Sequence, residues 1–330
     1  MNKNNPFLIA GGGIGGLALA RMLALNGFES IVFEQAQVFG EIGAGIQLGP
    51  NVLRMFDHLE VSQAMRQIAF FPENIVMMDS ISGEEVTRIP LGKKFESHFG
   101  KPYAVIHRAD LHSVLLDACK KMDEVKLYSG KEVINYTNSK EKVVVKTSDS
   151  ESFEGTALIG ADGLWSKMRG IICNDGDPIV SGHIAYRAVL PIEEVPTELK
   201  KWMNDIVLWG GPRNHLVHYK LRRGELFNIV AVFHSQRYVE GWDAYGDPKE
   251  LEQHFEGTRT EVQALLSKIN VWKMWVLCDR VPTNNWTKGR VTLIGDAAHP
   301  MLQYQELIYH QTFQVMPTAT VYILNRLYPA

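Results

Sequence analysis

The sequence predicts an α/β fold in two parts: strand–helix units at both ends of the chain, with a β-sheet inserted between them. Three observations predict it. Near the start, Gly11-Gly-Gly-Ile-Gly-Gly16 follows a short apolar run. Near the far end, Val291-Thr-Leu-Ile-Gly-Asp296 is a second apolar run that closes on Gly-Asp. Between about 178 and 285 the character changes to long alternating segments.

Bulk properties set the outer bounds. A chain of 330 residues is long enough for about two domains. Its 45% hydrophobic and 22% charged residues suit a full core. A net charge of -3 lacks the basic footprint of a nucleic-acid or anionic-membrane binder. Cys119, Cys173 and Cys278 lie far apart with no Cys-x-x-Cys, which fits reduced thiols better than a disulfide framework or a zinc site. The first residues, Met1 to Asn5, lead into too short an apolar run for a signal peptide. Leu17 to Leu25, the most apolar helical stretch, is interrupted by Arg21 and too short to span a bilayer. A cytoplasmic location is the expectation.

The elements follow in order. Phe7 to Ala10 reads as a buried strand, and Gly11, Gly13 and Gly16 stand at G-x-G-x-x-G spacing. Helical periodicity runs from Leu17 to Asn26 and closes on Gly27. Ser30 to Phe33 is a second strand, followed by Glu34, which lies 18 residues after Gly16. That is near the spacing of about 20 expected of a ribose-binding carboxylate. The glycines permit a tight turn and close backbone approach, and the helix N-terminus attracts pyrophosphate. This motif alone does not separate NAD from FAD.

Gly43 to Asn51 is a second Gly-rich loop, containing Gln47, and opens a helix from Asn51 to Leu59. His107-Arg-Ala-Asp-Leu-His112 precedes a helix from Leu111 to Lys121. The planar, permanently charged fork of Arg108 suits phosphate. Leu158 to Arg169 reads as a strand, an Asp162-Gly163 turn and a Ser166-x-x-Arg169 helix start. A hairpin turn at Lys288-Gly289 leads into the strand that ends on Gly295-Asp296.

In the middle region, strands are expected over His183 to Leu190, Ile206 to Trp209, His215 to Leu221 and Leu226 to Phe233. A hairpin at Arg222 to Glu225 joins the last two. Asp247 as N-cap and Pro248 at the first position begin a helix expected to run to about Lys268. Strand alternation makes His215 and Tyr219 point together and His218 point away.

With these residues in view, the chain resembles the single-component FAD-dependent aromatic hydroxylases, the group A flavoprotein monooxygenases, over roughly residues 6–304. Three fingerprints carry the resemblance: the glycine motif, Asp162-Gly163, and Gly295-Asp296 within Gly-Asp-Ala-Ala-His-Pro. It implies a Rossmann-like FAD-binding domain of the glutathione-reductase type over 1–177 and 286–304. Segments at about 65–105 would contribute to the substrate site, and 178–285 would be the inserted β-sheet substrate domain. By resemblance Gly11, Gly13, Gly16 and Arg108 hold the pyrophosphate, Glu34 the adenosine ribose, and Gly295-Asp296 the ribityl chain. Gln47 joins the cofactor set, and Asp162 and Arg169 serve flavin and nicotinamide binding.

Asn214-His215-Leu-Val-His-Tyr219 together with Met301-Leu-Gln303-Tyr304 looks most like 3-hydroxybenzoate 6-hydroxylases, with salicylate 1-hydroxylases close behind. His215 would then be the base near a phenol, Gln303 a second polar contact and Tyr219 a substrate neighbour. The implied reaction uses NADH or NADPH and dioxygen, passes through a flavin C4a-hydroperoxide, and hydroxylates a small aromatic acid. A non-catalytic flavin-binding fragment is the competing reading. A simple NAD(P)-dependent oxidoreductase would leave two fingerprints without a role. Oligomeric state stays open, a homodimer among the options.

After Tyr304 the resemblance stops. The family continues with a Gln-Gly turn and a helix bearing an acidic stretch, whereas residues 305–330 contain no glycine and Glu306 as their only acid. The expectation is an aberrant tail, from a frameshift, altered splice or truncated gene model, with impaired flavin-ring binding and hydroxylation.

Overall fold

A computed structural model describes residues 5–40, 43–236 and 244–302. Gln303 and the tail expectation for 305–330 lie outside the described residues.

The N-terminal unit is β1 (Phe7–Ala10), α1 (Ile14–Leu25) and β2 (Ser30–Phe33). Both strands are wholly buried, as continuous apolar runs must be when a parallel sheet is covered on two faces. The sheet orders Val125–Tyr128, β2, β1, Ala157–Gly160 and Val291–Leu293 side by side, all parallel, with Thr287–Lys288 antiparallel at the edge. The two ends of the described chain therefore share one sheet. One face carries α1 and the helix Arg108–Lys120 around Leu17, Leu23, Leu111 and Leu115. A three-stranded antiparallel sheet (Val133–Asn138, Val143–Thr147, Ser152–Gly155) contributes Val143 and Val145 to the core on the other.

The second large sheet has seven strands, in the order Lys273–Asp279, Ile179–Pro191, Leu226–His234, Asn214–Leu221, Ile206–Gly211, Asn74–Asp79, Glu85–Pro90. The last two come from before residue 100, so this sheet is completed by a segment far upstream. Ile206–Gly211 and Asn74–Asp79 run parallel, and the other pairings are antiparallel. Alternation sorts its two faces. Tyr186, Trp209, Leu216, Ile229 and Phe233 pack behind it against the helices Pro248–His254 and Thr260–Leu266. The front carries His183, Ala185, His215, Val217, Tyr219, Val230 and Val232, by the same period of two.

One expectation is corrected. The helix begun by Asp247, which accepts the Lys249 N–H at 3.0 Å, does not run to Lys268. It stops at His254, and a second helix starts at Thr260. Gly257 at φ +75° turns the chain in the left-handed region, which glycine enters without strain. The Thr258 hydroxyl (2.7 Å) and the Gln263 amide donate to the Phe255 carbonyl that a continuous helix would have used. Among the described residues no helix is long and apolar enough to cross a membrane.

Candidate active site

Four adjacent strand ends create the first part of the site. Ala10 is level with Phe33 on one side and Gly160 on the other, and Gly160 is level with Leu293. Glu34, Gly11, Asp162 and Gly295-Asp296 therefore emerge in a row at the carboxyl edge of parallel strands, where open α/β sheets bind ligands. At one strand spacing per step the row spans roughly 14 Å. That suits an extended ligand.

The glycines shape the row. Gly11 has φ +113°, and a Cβ there would lie 2.2 Å from the Ala161 carbonyl oxygen. A Cβ on Gly16 would lie 2.0 Å from the Gly11 oxygen. The turn is thus closed on itself and opens α1, whose N-cap is Gly13 with no side-chain cap. Its first N–H groups face the row, as an anion site requires. Glu34 braces the turn, accepting N–H bonds from Gly12 (2.9 Å) and Ala36 (2.8 Å). From behind, the buried His112 ring lies 2.8 Å (Nε2) from the Gly12 oxygen.

Asp162 is half-buried and Arg169 buried, and both side chains hold the backbone around the row. The Asp162 carboxylate accepts from the Ser166 hydroxyl (2.5 Å) and the Met168 N–H (3.0 Å), so it anchors the helix Lys167–Cys173. Burial raises its pKa, and those two hydrogen bonds oppose the rise. Arg169 is 1% exposed. Its guanidinium donates to Asp175 (2.8 Å), to the carbonyls of Ala297 (3.2 Å) and Ala298 (2.6 Å), and to Val281 (3.1 Å). It reaches the row through the Gly295–Ala298 turn, as a brace. Gly295 has φ +60°, and Asp296 beside it is exposed.

The strand pair Gly45–Leu48 and Ala104–His107 links this row to the second sheet. Arg108, first residue of its helix, donates its N–H to the Ala44 oxygen at 2.9 Å. Gln47 Oε1 accepts from the Tyr103 hydroxyl at 2.9 Å. A Cβ on Gly43 would strike the His107 ring at 2.0 Å, and one on Gly45 would meet Tyr219 at 2.6 Å. The Gly45 N–H donates to Asn228 Oδ1 at 2.9 Å, and the amide nitrogen of that fully buried side chain has no protein partner among the described residues. Asp110, two residues after Arg108, takes both arms of Arg222 at 2.8 Å, tying the helix to the hairpin after the Asn214 strand.

On the front of the seven-stranded sheet, His215 is flanked in register by Gly210 and Val232. Burial lowers its pKa, and His183 lowers it further by charge. Leu302 packs against Ala185, Val230, Val232 and Leu277, so the chain after Asp296 crosses onto this face beside His215. Tyr219 points the same way two turns of the alternation along, and it is 2% exposed. His218 faces the opposite core, where its Nε2 accepts from Trp209 Nε1 at 3.1 Å. Full burial holds its pKa at about 3.

No motif in the sequence marks His112, His183, His234 or Asn228. Asn228 had a signal, as the one polar residue inside the apolar run Leu226–Phe233. His183 and His234 become neighbours only through strand register, with ring centroids 5.6 Å apart.

The cradle of clash-limited glycines, the helix N-terminus and the spaced carboxylates fit FAD, and comparison with known proteins agrees. Residues 5–303 match the family model described as FAD binding domain. The chain is 44% identical over 301 residues to 3-hydroxybenzoate 6-hydroxylase 1 of Aquipseudomonas alcaligenes, covering 91% of this chain and 76% of that protein. It is 42% identical to 3-hydroxybenzoate 6-hydroxylase of Polaromonas naphthalenivorans (strain CJ2), covering 91% and 74%. A salicylate hydroxylase substrate complex shares the fold at a TM-score of 0.81 and 23% identity, over 95% of this chain and 78% of that one. The chain belongs to the FAD-binding domain family and, within it, to the FAD-dependent aromatic monooxygenases.

Proposed function

We propose that this chain hydroxylates 3-hydroxybenzoate to 2,5-dihydroxybenzoate with NADH or NADPH and dioxygen. The observation that carries the reading is His215: a half-buried imidazole, flanked by glycine and valine, on the face reached by the chain that leaves Asp296. Bound FAD supplies electron transfer and oxygen activation. Gly11, Gly13, Gly16 and Arg108 would hold its pyrophosphate, Glu34 its adenosine ribose, and Gly295-Asp296 its ribityl chain, with Gln47 alongside. Asp162 and Arg169 would serve flavin and nicotinamide binding while keeping the turns in place. In this division of labour 1–177 and 286–304 bind the cofactor, while 178–285, completed by the strands at 74–90, roofs the substrate. The free thiols Cys119, Cys173 and Cys278 fit the reducing cytoplasm as its compartment.

The protein's own part is proton handling and exclusion of water. A phenol must lose its proton as its ring attacks an electrophile. Transfer from a phenol to an ordinary imidazole is uphill by roughly 5 kcal/mol, and more so to His215, whose basicity burial weakens. His215 therefore acts while the ring is reacting, as a general base does. Its lowered pKa keeps it neutral at pH 7, ready to accept. Val217, Val230, Val232 and Leu302 keep that space apolar.

Purified protein supplied with NADH, oxygen and 3-hydroxybenzoate tests this. Chromatographic detection of 2,5-dihydroxybenzoate in step with NADH loss is the expected result. Catechol from salicylate would favour the salicylate reading, and peroxide alone the flavin-binding fragment.

A further inference from the structure

The front of the seven-stranded sheet holds three histidines in one corner. His215 faces Val232 across one strand boundary, and Val232 faces Ala185 across the next. Two residues along the same face, in the adjoining row, His234 faces His183. The three imidazoles therefore lie diagonally across three adjacent strands, all on one side. The His183 and His234 rings meet edge to face with centroids 5.6 Å apart. A Cβ at Gly182 would lie 2.9 Å from His234 Nε2, so the backbone there is kept bare for that ring. His234 is exposed, and His183 and His215 are half-buried.

His215 has no proton acceptor beside it in register, since Gly210 and Val232 flank it. A base that takes a phenolic proton in every turnover must return it to water before the next. The small side chain of Ala185 leaves room toward His183. Further along the same face, Arg187 lies over the Trp275 ring and Tyr219 packs on Gly45.

We propose that His215, His183 and His234 form a proton exit path from the substrate hydroxyl to solvent. The inference rests on the hydroxylase reading. The O–H electron pair stays on the phenolic oxygen as the proton passes to one imidazole nitrogen of His215. The proton on the other nitrogen of His215 then passes to His183, directly or through one water, next to His234, and finally to bulk water. No electron is transferred, and each ring ends neutral. His183 and His234 are positioning residues that act through His215. His183 lies close enough to act on His215 by charge, adding to the lowering of the His215 pKa that burial begins.

The test uses FAD-loaded protein and the variants His183→Asn, His234→Asn and the double variant, each checked for full flavin content. Turnover of 3-hydroxybenzoate should fall about tenfold in either single variant at unchanged KM, short of the larger loss from removing a direct base. The double variant should be no worse than the singles, and tens of millimolar imidazole should restore the rate. Unchanged kcat, strictly multiplicative losses, or losses that imidazole leaves in place would overturn the path. A second readout needs no turnover. In NMR titrations of ¹³C-ε1-labelled histidine, His183→Asn should raise the His215 pKa, and an unmoved His215 resonance overturns the path. Wild-type protein that leaves 3-hydroxybenzoate unchanged while the NMR coupling holds would count against the substrate assignment and for the path.

Discussion

His215 and His218 sit three residues apart on one strand yet meet opposite environments, because a period of two sends odd and even positions to different faces. His218 is sealed in the rear core with its pKa held at about 3, so folding excludes its proton. The unfolded chain takes up that proton below about pH 6.5. Stability from keeping His218 neutral is thus complete above pH 6.5 and is lost progressively as pH falls toward 3, by up to ~5 kcal/mol. Urea denaturation of His218→Gln, which keeps an acceptor for Trp209, should show a shallower acid loss than wild type between pH 6.5 and 4. His215, by contrast, must be neutral to work. Since its pKa is lowered, the acid limb of kcat should lie below pH 6.5, and His215→Asn should cut kcat by about 10²–10⁴ with little change in flavin content. An acid limb above pH 6.5 would show that another group controls it. The alternation that separates these two histidines was legible in the sequence. The polar company of His215 was not, because His183 and His234 meet it through pairing of strands about 30 and 20 residues away.

Among the elements, the turn from Gly160 into the helix Lys167–Cys173 shows how a motif residue acts as scaffold. Ser166 accepts the Arg169 N–H at 2.9 Å and donates to Asp162, so cap, carboxylate and arginine form one unit. Ser166→Ala should cost about 1 kcal/mol as a lost cap. It should also loosen the Ala297–Ala298 turn that Arg169 holds, and so weaken FAD retention. Thermal unfolding and flavin absorbance after gel filtration report the two effects separately, and unchanged flavin retention would confine Ser166 to the helix. The Asp-Gly and Ser-x-x-Arg spacing announced this turn and helix start. It did not announce that Arg169 would be buried, since the four acceptors around it come from residues 175, 281, 297 and 298. The helix after Asp247 is the reverse case. Its start was written in Asp-Pro, while its break at Gly257 depends on Thr258 and Gln263 capturing one carbonyl, a contact that helical periodicity does not encode.

Across the whole molecule, the glycine turn, the Asp162 turn and the Gly295 turn come from positions nearly 300 residues apart and converge because three strands lie side by side. The convergence was legible only as a resemblance, for nothing in the local pattern pairs Ala157–Gly160 with Val291–Leu293. It carries a thermodynamic consequence. A ligand bound by all three turns in the folded state alone stabilises that state by mass action, by about 2.7 kcal/mol at a hundredfold excess over its Kd. Adding FAD to stripped protein should therefore raise Tm, increasingly with concentration. Gly11→Ala should abolish that response, because its Cβ would lie 2.2 Å from the Ala161 oxygen on a backbone at φ +113°. Asp110→Ala and Arg222→Ala provide the control. Their ion pair joins the two large sheets from a partly exposed position, so removing it should lower Tm slightly, within the ~1 kcal/mol usual for such pairs. The FAD-dependent rise should survive in both. A Tm that ignores FAD in the wild type, or one that still responds in Gly11→Ala, would mean that the three turns do not share one ligand.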